Sequence, residues 1–534
     1  MVRRGRGALA LAGTAAVALI MSACGGSDNN NNPSSTGSDG GGANLTGDSW
    51  ILGTTDTVTA LDPAGAYDLG SWTLEWNIYQ TPLTIPSGTT TPQGDAAKKC
   101  TYTDPKTLTC TLNSGLTFSN GDPLTSSDVK FSIDRSIAIA DPVSAISSLL
   151  GSVDSVDTPD DATVVFHLKT PDQTFQYVLT TPAAGIVDED VFPADKLLPD
   201  DEVIGSGPYA VSQYTAGDTA VLSANTSYSG PNPPTGPQVF VKYYKETSAL
   251  KLAVQNNEVD VAWRSLSPTD IESLKGDSNV TVAEGDGSEI RYWVWRFQNE
   301  VAKDPAVREA AAMIIDRTAI ADRAYSNTVT PLYSIVPPSL TGSNEAFKTR
   351  YGAGPDVAGA KQLLTSAGVN TPVAITLGYT PTHYGPNTVD DASEFKRQLE
   401  DSGLFKVTLK SAEWTQYQTL YKEGAYDLFI LGWFPDFVDA DNYLAPFMVD
   451  GGFFSNGYKS AQADKLVGVE KSSTAAATRD KAFGQLQNLA AKDVPFIPSW
   501  FAKNIAVYGP GMSGVEDTLD AAYMFRMWLV TKNG

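Results

Sequence analysis

YDLFILGWFPDFVDADNYLAPF, Tyr426 to Phe447, reads as a strand that runs into a helix through an acidic, aromatic joint. The apolar run before Gly432 has the length and density of a strand buried on both faces. From Gly432 onward, one Trp, three Phe and one Tyr surround Asp436, Asp439 and Asp441. Desolvating an unpaired carboxylate is costly, so each acid needs a partner. A metal, a basic side chain of the same chain and a group brought from outside are the three candidates. Asp439 and Asp441 stand where a helix over "DADNYLAPF" would begin and are expected to cap it. For Asp436 a cap or an internal salt bridge stays open beside a ligand contact.

Outward from that stretch, strands and helices keep mixing. "SWILGTTDTVTALDP" opens with a strand, and "TVVFHLKT" is another. "LTSSDVKFSIDRS" starts a helix, with Thr125 and Asp128 at capping-box spacing. In "KDPAVREAAAMIIDRTAI", Asp304 caps, Pro305 takes the first helical position, and Val307, Ala310, Ala311, Ile314 and Ile315 form one apolar face. "DVAGAKQLLTSAGV" starts at Asp356, turns Ala360, Leu363, Leu364 and Ala367 inward and stops at Gly368. "TRDKAFGQLQNLAAKD" is a late helix, followed by the strand "VPFIPSWF". The pattern is α/β with more than one lobe, and 534 residues suit about three domains.

"CTYTDPKTLTC" predicts a hairpin. Asp104-Pro105-Lys106 is a turn signal, and Leu108, Cys110 and Leu112 alternate with threonines as on a half-buried strand. A hairpin symmetric about Pro105 sets Cys100 opposite Cys110 at about 4.5–5.5 Å, which suits a disulfide; two buried free thiols are the alternative.

The start, "MVRRGRGALALAGTAAVALIMSACGG", carries Arg3, Arg4 and Arg6 ahead of an uncharged apolar run, Ala8 to Met21. That run is too short for a span and right for a signal peptide on the general secretory route. It ends in Met21-Ser22-Ala23-Cys24, which resembles the lipobox of bacterial lipoproteins, with Met in place of the usual Leu. Residues 1–23 are thus expected to be a leader, with Cys24 diacylated. Residues 24–47, rich in Gly, Ser and Asn, read as a flexible tether. Localisation follows as the extracytoplasmic face of the cell membrane, by lipid anchor. Export also favours the disulfide.

A formal charge of −23 argues against nucleic acid as a partner. It fits solubility and some preference for cationic or zwitterionic ligands. Three cysteines and two histidines, His167 and His383 far apart, give no zinc or transition-metal cluster, and no cofactor is expected. The chain has no G-x-S-x-G elbow, H-E-x-x-H or P-loop. "GPGMSG", Gly509 to Gly514, matches G-x-G-x-x-G but leaves no room for a βαβ unit. Tyr443 and Leu444 stand where a calcium loop begun at Asp439 wants Asp or Asn and Gly.

Together these stretches resemble the family 5 extracellular solute-binding proteins of ABC importers, which include oligopeptide-, dipeptide- and nickel-binding members. The resemblance runs from about Ser49 to Trp528 through "ALDPAGAYDLGSWTLEWNIYQTPL", "LTCTLNSGLTFSNGDPLTSSDVKFSIDR", "GSGPYAVSQY", "LAVQNNEVDVAW", "VREAAAMIIDR", "AKQLLTSAGV", the 426–447 stretch and "AAKDVPFIPSWF". "RFQNEVAKDPA" departs from the family's usual run before the 307–317 helix, and Trp500-Phe501 stand where many members carry tyrosines.

The resemblance implies a two-lobed, type II periplasmic-binding-protein-like α/β fold with an extra subdomain in the first lobe. Lobe I would be 48–285 plus 497–534, with the subdomain at about 96–205, and lobe II would be 286–496. It implies a binding protein rather than an enzyme, a monomer that captures short peptides and delivers them to an ABC permease. An oligosaccharide ligand is the alternative within the family, and a secreted hydrolase with paired carboxylates the alternative outside it. A nickel chelate would have only His383 to serve it. By the same resemblance Asp436 takes the peptide ammonium, and Trp414 and Trp433 line side-chain pockets. Gly432, Phe434, Trp500 and Tyr67 complete the expected contacts, and Lys422 falls near where some members carry basic residues for the peptide carboxylate, although those arginines and histidines are otherwise absent from this sequence.

Overall fold

The computed structural model describes residues 47–533, except Ser265 and Pro386. The expected leader, Cys24 and nearly all of the tether therefore lie outside the described residues.

One eleven-stranded sheet organises the molecule. Its order is Phe405–Ser411, Val373–Tyr379, Leu428–Trp433, Thr281–Trp295, Phe496–Tyr508, Val261–Trp263, Trp50–Thr54, Gln238–Tyr243, Thr219–Ala224 and Tyr209–Thr215, with Val329–Pro331 branching onto Phe496–Tyr508. Two long antiparallel strands, Thr281–Trp295 and Phe496–Tyr508, lie in the middle and belong to both halves. Residues 281–286 pair with 503–508, which also meet Val261–Trp263 of the first half. After a register shift between Asp286 and Ile290, residues 290–295 pair with Leu428–Trp433 of the second half. The chain thus crosses between the halves along these two strands. The crossing is tight: a Cβ on Gly285 would lie 1.8 Å from the Leu519 carbonyl oxygen, and one on Gly287 2.3 Å from that of Ala502. Only glycine fits such close backbone approach.

Each half has its own core. Trp50, Trp263, Phe525 and Met527 anchor the first, and Tyr292, Trp293, Trp295, Phe395 and Phe496 the second. A third core lies under a separate four-stranded sheet, ordered Ala97–Asp104, Thr107–Leu112, Thr163–Leu168 and Val153–Asp160. Helix Ser126–Ile139 packs on that sheet. This is the two-lobed α/β architecture with a subdomain. Among the described residues no helix is long and apolar enough to cross a membrane.

Local chemistry explains the elements. Helix Ser126–Ile139 starts with the full capping box, Thr125 and Asp128 each accepting from the other's backbone N–H side of the turn. Asp304 and Asp356 accept from Ala306 N at 2.9 Å and Gly359 N at 2.8 Å and start their helices. Ala367, expected to face inward, is exposed instead: its helix ends at Ser366, so it falls past the last turn of the apolar stripe. In the hairpin Asp104 accepts from Lys106 N at 2.9 Å and closes the turn. Cys100 and Cys110 are direct cross-strand partners, joined by a disulfide with Cα atoms 4.0 Å apart.

Candidate functional site

A cleft of about 980 Å³ opens where the long strands pass from one half to the other. First-half residues Tyr67, Asp68, Trp72, Arg264 and Tyr523 face second-half residues His383, Tyr384, Trp414, Trp433 and Asp436 across it. All seven residues expected at a ligand site line it: Tyr67, Trp414, Gly432, Trp433, Phe434, Asp436 and Trp500. Lys422 does not line it. Trp414 starts the helix Trp414–Glu423 at the cleft, and Lys422 lies eight residues on, about 12 Å along the axis, exposed over Tyr421.

Strand Leu428–Trp433 delivers the acidic stretch to the rim. Asn442, in helix Asp441–Met448, fixes its shape: its Oδ1 accepts from Asp436 N at 3.0 Å and from Trp433 Nε1 at 2.9 Å, and its Nδ2 donates to Asp436 Oδ2 at 2.9 Å. The Tyr67 hydroxyl, 369 positions away, donates to Asp436 Oδ1. Burial raises the Asp436 carboxyl above its ordinary value, and the Tyr67 and Asn442 donors hold it back.

The three aspartates now separate. Asp439 is locked by Arg479 through bonds of 2.8 and 3.1 Å, and it accepts from Asp441 N at 2.9 Å. Asp441 is itself the first helical residue, with Lys471 at 3.6 Å, so it pairs with a cation where a cap was expected; the capping position is Ala440. Behind them Glu470 sits 3.4 Å from Arg479, and burial, with the Asp441 charge beside it, pushes its carboxyl well above the ordinary range. Asp436 has no cation among the described residues; its side chain meets only a phenol and an amide.

Aromatic faces make up much of the remaining wall. Trp414 stacks on His383 with centroids 3.7 Å apart and planes within 5°. Trp433 meets Phe447 and Phe453 edge-on at 5.1 Å. Phe434 lies between Tyr523 at 4.6 Å and the Arg264 guanidinium at 5.7 Å. Trp500 is held from behind by its Nε1 donating to Asp391 at 3.0 Å. Arg291 lies over Tyr384 and Trp500, at 4.3 and 4.9 Å, and is salt-bridged to Glu289 at 2.8 Å. Gly432 is what admits it, because a Cβ there would be 2.1 Å from Arg291 Nη1. Burial, with the Arg291 charge nearby, pulls the His383 imidazole down to about 4, so the ring is neutral at pH 7.

Arg264, Glu289, Arg291, His383, Tyr384 and Tyr523 were not singled out as cleft residues by the sequence. Glu289 and Arg291 carried a usable signal: two charges at strand spacing beside the apolar run "YWVW". Among the described residues no group of three or more His, Cys, Asp or Glu is placed to hold a metal ion. The walls can therefore hold flat or apolar groups and, at Asp436, receive a cation.

Three comparisons place the chain. Probable D,D-dipeptide-binding periplasmic protein DdpA of Escherichia coli is 26% identical over 474 residues, 84% of this chain and 88% of that protein. The Helicobacter pylori periplasmic binding protein DppA, solved with the peptide STSA, superposes with a TM-score of 0.74 over 92% of this chain and 99% of that one, at 22% identity. The substrate binding protein CtaP of Listeria monocytogenes gives 0.79 over 92% and 100%, also at 22% identity. At these identities the structural likeness is one of fold. The family described as bacterial extracellular solute-binding proteins, family 5 middle, matches residues 91–455. With more than half of its length so matched, the chain belongs to the family 5 bacterial extracellular solute-binding proteins.

Proposed function

We propose that this protein captures short peptides with a free amino terminus in the cleft and delivers them, chemically unchanged, to the permease of an ABC importer. The observation that carries the reading is Asp436, a carboxylate at the cleft with neutral partners only. A desolvated ammonium and such a carboxylate make a strong charge-assisted hydrogen bond. Flat indoles such as Trp414 and Trp433 accept varied apolar side chains without fixed geometry. The dipeptide-binding name of DdpA and the peptide bound to DppA support the same ligand class. The aromatic walls also favour a second reading, an oligosaccharide stacked on the indoles.

Capture would proceed by hinge closure, with the two crossing strands as the hinge. The proposed bodies are 48–285 with a C-terminal return, bearing the subdomain at 96–205, and 286–496. Pairing of residues 496–502 with the second half favours a return that starts near Lys503, later than 497. We also propose a monomer, held to the outer face of the cell membrane by lipid on Cys24.

Mass spectrometry tests this reading. The purified protein is incubated with mixed short peptides and oligosaccharides, and what it retains is recovered. Intact peptides with free amino termini are expected. Retained sugars would move the ligand to the second reading, and cleaved fragments would make the protein a hydrolase. Membrane-extracted protein should carry a diacylglyceryl increment on Cys24; an unmodified Cys24 would remove the anchor.

A further inference from the structure

Three basic side chains line the cleft, Arg264, Arg291 and Lys503, and each already has an acid. Arg264 holds Asp56 through two bonds of 2.8 and 2.9 Å. Arg291 pairs with Glu289 at 2.8 Å, spends Nη1 on the Ile290 carbonyl, and lies over two aromatic rings with its side chain only 5% exposed. Lys503 pairs at 2.7 Å with Glu284, which also holds Lys275, itself 3.6 Å from Glu272. His383 is neutral.

The acids are not matched in the same way. Glu289 has Arg291, but Asp68 and Asp436 have no cation among the described residues. Asp68 accepts from Ser71 N and Oγ, both at 2.8 Å, and from the Thr59 hydroxyl. Asp436 accepts from Tyr67 and Asn442. Tyr67, next to Asp68 in sequence, links the two acids across the cleft. The cleft therefore carries two carboxylates without a cationic partner, one of them, Asp68, capping helix Leu69–Ile78, and no cation without an acid.

We propose that the cleft selects ligands of net positive charge, amine-bearing peptides whose carboxyl end is blocked or offset by basic side chains, over zwitterionic ones. The inference rests on the amine-capture reading above and narrows it. A ligand carboxylate would meet two unmatched anions and three cations already neutralised. At about 10 Å and an effective dielectric of about 20, one such repulsion weakens binding by roughly 10–20-fold. A ligand ammonium meets the opposite situation at either acid.

Titration calorimetry of the native protein with alanyl-phenylalanyl-alanine and with its C-terminal amide, at low ionic strength, tests this. The amide is expected to bind at least about 10-fold more tightly, and added salt should narrow the gap. Equal affinities, or a tighter acid, overturn the inference; if N-acetylation still abolishes binding, the amine-capture reading survives it. If neither peptide binds, both fall together.

Discussion

Asp436→Asn is expected to weaken binding of a free-amine peptide by about 10–150-fold while the fold stays intact. A hydrogen bond to a charged group contributes about 1.5–3 kcal/mol net, and 1.4 kcal/mol is one decade of affinity. The substitution keeps the side-chain volume and one oxygen for Asn442 Nδ2. It removes the charge and turns the oxygen facing Tyr67 into an amide NH2, from which the phenol can accept by rotating its hydroxyl, and no internal cation of the described residues is left unpaired by its loss. Stability should therefore change by less than about 1 kcal/mol, because the carboxylate is already raised by burial and carries a desolvation cost in the free protein. Calorimetry beside a denaturant melt separates the two effects; unchanged affinity would remove Asp436 from the site.

Arg479→Met should behave in the opposite way, costing about 3–5 kcal/mol of stability with little direct effect on affinity. Arg479 is the shared partner of Asp439 and Glu470, at 2.8 and 3.4 Å, and all three side chains are largely buried. Removing Arg479 leaves the buried Asp439 carboxylate without its cation in a low-dielectric setting, which is where such large losses arise. Met keeps an unbranched apolar chain of similar reach but loses the guanidinium that lies 5.0 Å over the Phe483 ring. A urea titration measures the loss, and a shift below about 1 kcal/mol would mean that the Asp439 pair is screened by solvent. The contrast between the two variants would express a division of labour in one short stretch: Asp439 paired internally with Arg479, and Asp436, with neutral partners only, given to the ligand in the proposed reading.

Much of this was legible in the sequence because it depends on near neighbours. The caps at Thr125, Asp304 and Asp356 and the facing of Cys100 and Cys110 are set by residues within one turn or one hairpin. The aromatic, acidic stretch after Leu428–Trp433 announced a site, since such a cluster has no reason to be buried without a partner. What could not be read are contacts that the fold alone creates. Tyr67 meets Asp436 across 369 positions, Arg264 meets Asp56 across 208, and Trp500 meets Asp391 across 109. His383 looked ordinary because only the stacked Trp414, on another element, reveals its place. Lys422 failed for a simpler reason: a position two helical turns from a cleft residue leaves the cleft.

The most direct measurement is the affinity of the native protein for one peptide with a free and with an N-acetylated amino terminus. Acetylation replaces the ammonium with a neutral amide and leaves the rest of the peptide unchanged. If Asp436 receives that ammonium, the acetylated form binds about 10–150-fold more weakly, and the difference disappears in Asp436→Asn because both changes delete the same interaction. Equal affinities for the two forms in the native protein would contradict the account at its centre and leave the cleft to an uncharged ligand.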